Sequence, residues 1–169
     1  MASTYEPIAS TVIGSNSANY QFTSIPSTYT DLRCVIRSQT SHSSPSSLRL
    51  RFNGDTGTNY SLTRLWGTGS AAVSGRFSND TSFDIGFMPD STSGIGTMIF
   101  DVMSYGNTNV FTTLLGAWES QAGPASNQFV LRQVGLWRNT NAITTMTFSY
   151  DSGNIVAGST FSLYGIKAA

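Results

Sequence analysis

Apolar and polar residues alternate through much of the chain, and a period of two marks strands with one buried face. The clearest instance spans Ser47 to Gly67. Leu48, Leu50 and Phe52 point to one side, Arg49 and Arg51 to the other. Asn53-Gly54 follows, a pair that supplies the positive φ angles of tight turns. Tyr60, Leu62, Arg64 and Trp66 then share one face of a second strand. The pattern predicts one hairpin here, with a wet face and a dry face. Likewise Leu32, Cys34 and Ile36 are expected inside, with Arg33 and Arg37 outside.

Further strands are predicted over Tyr5 to Ile13, Asn19 to Ile25, Phe83 to Met88, Val110 to Trp118, Phe129 to Trp137, Ile143 to Tyr150 and Thr160 to Ile166. Pro7 suits a strand start or an edge. Thr97 to Met103 is apolar on nearly both faces and is expected to be a central, well-covered strand. Thr68 to Thr81, rich in Gly, Ser and Asn, yields no assignment. Glu119 to Gln128, with Gly123-Pro124, is expected as a loop. About ten strands, bounded by Gly, Asn, Asp, Ser and Pro, predict an all-β fold. The expectation is a single domain over residues 1–169, an antiparallel β-sandwich of jelly-roll-like form.

Composition sharpens this picture. Lys167 is the single lysine, and Glu6 and Glu119 are the only glutamates. Helix surfaces draw on both residue types, so helices are not expected. Charged residues make up 11% of the chain, far below the roughly 25% of an ordinary domain. Formal net charge is zero, which gives no general reason to expect a nucleic-acid partner. A sparsely charged surface near neutrality suits a protein covered by partners. Cys34 is alone and sits in an apolar pattern, so it is expected in the core and in no intrachain disulfide. The start, Met1-Ala2-Ser3-Thr4-Tyr5, lacks the basic and apolar segments of a secretory signal. No apolar run is long enough for a membrane span.

Candidate chemistry is thin. His42, the only histidine, lies in a Ser/Thr-rich loop, and no G-x-S-x-G accompanies it; the expectation is a solvated loop residue. Most carboxylates flank turn residues, where Asp caps local backbone. Asp101 differs: it lies mid-strand between Phe100 and Val102 and calls for a partner such as an arginine. Asn53, Asp55 and Asn59 offer oxygens around two glycines, but a turn explains them better than a calcium loop, which needs a terminal Glu. No Cys/His cluster suits zinc. No enzyme activity, cofactor or metal is therefore expected. Trp66, Trp118 and Trp137 lie near predicted strand ends, where indoles stack on sugars, anchor subunit contacts or close a core.

Three stretches resemble a known group: Phe22–Leu32 (FTSIPSTYTDL), Leu50–Tyr60 (LRFNGDTGTNY) and Gly158–Ile166 (GSTFSLYGI). They look like small virion structural proteins of tailed bacteriophages, described as capsid decoration, cement or tail-associated components. The resemblance implies a binding role in the virion, after assembly in the bacterial cytoplasm, with no catalytic residues to carry over. The expected function is capsid decoration: a homotrimer bound to the major capsid protein, bridging shell subunits, with no nucleic acid or membrane involved. The expected contact residues are the outward arginines Arg33, Arg49 and Arg51, together with Trp118. The alternative is a tail-fibre or baseplate module that binds host-surface glycan.

Overall fold

The computed structural model describes residues 5–122 and 127–167. Twelve strands and no helix occur among them. They are β1 (Tyr5–Val12), β2 (Asn19–Phe22), β3 (Asp31–Ser38), β4 (Ser46–Phe52), β5 (Tyr60–Gly67), β6 (Ala72–Asp80), β7 (Phe83–Met88), β8 (Gly96–Met103), β9 (Thr112–Ala122), β10 (Asn127–Trp137), β11 (Met146–Tyr150) and β12 (Thr160–Ile166). One sheet has eight strands in the order β1-β12-β3-β8-β9-β10-β5-β6, and the other has four in the order β2-β11-β4-β7. Every strand pair is antiparallel.

The pairings nest. β1 pairs with β12, β2 with β11, β3 with β8 and β4 with β7. The partners in the first and third pairs lie in the large sheet, the others in the small one. This is one long antiparallel hairpin rolled into two layers, the connectivity of a jelly roll. Two pairs fall outside the nest: β5–β6, inserted between β4 and β7, and β9–β10, inserted between β8 and β11. β9 joins the free edge of β8 and β5 joins β10, so the two pairs together double the width of the large sheet.

The core lies between the layers. Leu32, Cys34 and Ile36 of β3, Leu48, Leu50 and Phe52 of β4, and Met98, Phe100 and Val102 of β8 are all buried, as alternation requires. Burial pushes the Cys34 thiol pKa up and keeps it neutral. Phe52, Tyr60, Phe83 and Trp137 form one aromatic cluster, with Phe52 and Trp137 centroids 5.4 Å apart. Phe22, Phe148 and Phe161 anchor a second. Glycines make room for these rings. A Cβ on Gly135 would meet Phe83 at 2.6 Å, and one on Gly86 would meet Trp118 at 2.9 Å.

Four expectations need correction. The predicted hairpin over 47–67 is two strands in different sheets: β4 pairs with β7 and β11, while β5 pairs with β6 and β10. Residues 53–59 form a corner between layers. Asp55 holds it by accepting bonds from Gly57 N, Asn59 Nδ2 and Trp137 Nε1. The stretch 68–81 contains β6, an edge strand whose two faces are both largely exposed, so no alternation marks it. Strand reaches into the predicted loop from both sides, since β9 runs to Ala122 and β10 starts at Asn127; Gly123-Pro124 lies outside the described residues. Finally, β8 is central as expected, but only its inner face is covered: Ile99 on the outer face is exposed.

Candidate functional site

Register alone maps the outer face of the large sheet. Residues opposite one another across strands line up in rows, and every second row faces outward. One outward row runs Ser162, Val35, Ile99, Ala117, Arg132, Leu65 and Ser74. The next runs Tyr164, Arg33, Asp101, Leu115, Val134, Thr63 and Arg76. On the far side lies Arg37, Thr97, Glu119, Val130 and Gly67. Over β1 and β12 this face is dominated by hydroxyl residues; over β8, β9, β10 and β5 it turns apolar.

The apolar part is large and open. Leu65 is 62% exposed, Val130 55%, Val134 46%, Leu115 44% and Ile99 42%. All five belong to adjacent strands of one face, so they make one patch rather than scattered singles. Contiguous exposed apolar surface marks interaction sites. A shallow groove of about 470 Å³ crosses the patch, lined in part by Arg33, Leu65, Ile99, Leu115, Arg132 and Val134. The inner faces of the same strands are occupied. Leu131 packs against the core, and Gln133 lies across Gly116 and donates to the Ile85 carbonyl at 3.2 Å. The open patch is therefore the outer side of a packed sheet.

The expected contact residues fall in three different places. Arg33 is on the outer face of the large sheet, beside the patch, where it forms a bidentate pair with Asp101 at 2.7 Å on both arms. It also donates to Tyr5 Oη at 3.1 Å. The arginine partner expected for Asp101 is thus Arg33. Arg49 and Arg51 lie across the molecule, on the outer side of the small sheet. Arg49 binds Asp151 bidentately at 2.5 Å, and Arg51 donates to the Thr81 carbonyl at 3.0 Å. Trp118 is 2% exposed and belongs to the core, with Nε1 on the Met88 sulfur at 3.4 Å. Its indole has no face to offer a partner. Trp137 is likewise buried, and Trp66 is half-buried with the Arg64 guanidinium 5.4 Å from its ring.

No catalytic grouping emerges around the candidate residues. His42 is exposed in its loop, with Nδ1 3.1 Å from the Ser44 carbonyl. The oxygens considered for calcium are engaged by donors of the chain: Asn53 Oδ1 accepts from Thr144 N and Thr145 N, and Asp55 caps its own corner. Among the described residues, no three His, Cys, Asp or Glu side chains converge as a metal site.

Three residues that sequence reasoning did not select stand on the patch and its margin: Arg37, Arg76 and Arg132. All are exposed, and none of their side chains has a hydrogen bond or ion pair among the described residues. Arg37 carried a signal, since alternation placed it outward with Arg33. Arg132 becomes significant only when register sets it beside Leu65, and Arg76 lies in the stretch without a pattern. The comparisons with protein-family models and with curated proteins found no match to this chain.

Proposed function

We propose that this chain is a bacteriophage capsid decoration protein that binds the outside of an icosahedral shell and stabilises it by bridging capsid subunits. The observation that carries this reading is the exposed apolar patch on the widened sheet, built from Leu65, Ile99, Leu115, Val130 and Val134. Such a surface suits stable burial against another folded protein. The two inserted hairpins supply most of it. The resemblance of residues 22–32, 50–60 and 158–166 to small virion proteins supports the same reading.

Bridging is a linkage effect. A protein that binds only the closed shell lowers its free energy by RT ln(1 + [L]/Kd), about 2.7 kcal/mol per site at a hundredfold excess over Kd. In this proposal the subunit acts as a homotrimer at local three-fold positions. The glycan alternative drew on three tryptophans near strand ends. Two of them are core residues, and only Trp66, half-buried, keeps part of its ring toward solvent.

The test is reconstitution. Shells stripped of this protein are mixed with the purified chain, and their thermal opening is followed by light scattering. A higher opening temperature, absent with Val134→Glu, supports decoration. An unchanged opening temperature with the unaltered chain contradicts it.

A further inference from the structure

We infer that the outer face of the large sheet recognises a protein surface that sets carboxylates within and beside an apolar patch. The inference rests on the decoration reading and names the chemistry of the partner at that same face.

Eight of the eighteen charged side chains are matched in four ion pairs among the described residues. Arg33 pairs with Asp101, Arg49 with Asp151, Arg64 with Asp84 and Lys167 with Glu6. Arg51 and Arg138 donate to neutral groups of the chain. Of the eight arginines, three remain whose side chains have no hydrogen bond or ion pair among the described residues: Arg37, Arg76 and Arg132. They come from β3, β6 and β10, far apart in sequence, yet all three project from the outer face of the large sheet. At about 4.8 Å between strands, Arg37 and Arg132 stand roughly 14 Å apart across the sheet.

Arg132 stands within the patch, between Val130 and Val134 and beside Leu65, while Arg37 and Arg76 flank it, so these guanidiniums are placed to fork onto carboxylates both inside and at the margins of an apolar contact. A second copy of this chain fits poorly. Face to face, three cations would meet Glu119 as the one acid of the rows carrying the patch without an ion pair or hydrogen bond among the described residues. Like charges brought together across an interface are strongly unfavourable. Nucleic acid fits poorly as well, because such interfaces are far more polar and cationic than a patch of five open aliphatic side chains. A partner with acidic groups set within and beside an apolar surface satisfies both the cations and the aliphatic side chains.

The experiment measures binding of the purified chain to undecorated shells of its own particle, over a salt series from about 0.05 M to about 0.5 M. The unaltered chain is compared with the triple variant Arg37→Gln/Arg76→Gln/Arg132→Gln, with the corresponding triple Glu variant, and with Val134→Glu. The replaced arginines are exposed, so thermal melts of the arginine variants should match the unaltered chain. At low salt, about tenfold weaker binding is expected for the Gln triple and a larger loss for the Glu triple, with the difference shrinking as salt screens it. Arginine variants that bind like the unaltered chain, while Val134→Glu abolishes binding, would overturn the carboxylate inference and leave decoration standing. No binding by the unaltered chain at any salt would overturn both. Tight binding to duplex DNA, or dimers in sedimentation, lost in the Gln triple would assign the cations to another partner and overturn the inference.

Discussion

Arg64 shows how one side chain can join two layers. It lies on the inner face of β5, and its guanidinium reaches Asp84 of β7 at 3.2 Å. It also sits 4.4 Å from the centre of the Phe77 ring. Both charged side chains are only 15% exposed, and Asp84 Oδ1 has no hydrogen-bond partner among the described residues. Removing one member of such a pair strands the other charge, whereas removing both can be nearly neutral. Arg64→Met should therefore cost about 3 kcal/mol in urea unfolding, while Arg64→Met/Asp84→Leu should recover most of that loss. A double variant as unstable as the single one would show that the arginine acts through packing alone. Gly135 is a second such point. Gly135→Ala drives a methyl against Phe83 and should lower stability by about 2 kcal/mol, read in the same assay. Inward or outward placement of most of these residues was legible in the sequence, because alternation encodes it directly. The demand for glycine at 135 was not, because it depends on an aromatic ring from the opposite sheet.

At the scale of elements, the corner at residues 53–59 decides the topology. Alternation describes a strand but says nothing about its neighbour, so β4 and β5 read as a hairpin. In the fold, Tyr60 Oη accepts from Phe52 N at 3.1 Å, Asp55 ties the loop to Trp137, and β5 departs into the other sheet. Burial alone would raise the Asp55 pKa, but hydrogen bonds from Asn59, Trp137 and Gly57 outweigh it and hold the carboxyl below its ordinary value. At Asp90, hydrogen bonds from Ser93 and Thr92 lower the pKa to about 2. Both carboxyls are depressed in the folded state, so the unfolded chain takes up protons first. Their stabilisation is complete above about pH 4 and is lost as pH falls toward 2. Tyr60 has the opposite sign: burial raises its pKa to about 12, so its contribution is full below about pH 10 and disappears as pH rises through 12. Cys34, also raised by burial, brings the basic limit lower, so urea midpoints should be flat between about pH 4 and about pH 8.5, where the unfolded thiol ionises, and fall on both sides. Asp55→Ala should flatten part of the acid arm, shift Trp137 fluorescence to the red and cost about 2 kcal/mol at neutral pH.

For the whole molecule, widening one sheet of a jelly roll creates more outer surface than the fold itself can cover. β8 carried the sequence-level trace of this. Its apolar residues on both faces suggested a fully covered strand, yet one face is open in the single subunit. A strand apolar on both faces is covered on one face only in this fold, and the open face is the one the decoration proposal assigns to a partner. The sandwich, its antiparallel strands and most core positions were legible from periodicity and turn residues. The patch was not, because Leu65, Leu115 and Val134 come from three separate stretches that only register assembles. Since these side chains are exposed, Leu115→Glu or Val134→Glu should change folding stability by no more than about 0.5 kcal/mol. Either change should nonetheless prevent binding to the shell, which a binding assay beside a thermal melt would separate.

The most direct measurement is a cryo-electron-microscopy map of the intact virion, with this chain fitted to its density. A decoration role as proposed requires density on the head at local three-fold positions, with the outer faces of β8, β9, β10 and β5 turned onto the shell. Density on the tail, or on the head with Leu65, Leu115 and Val134 facing solvent, would contradict it.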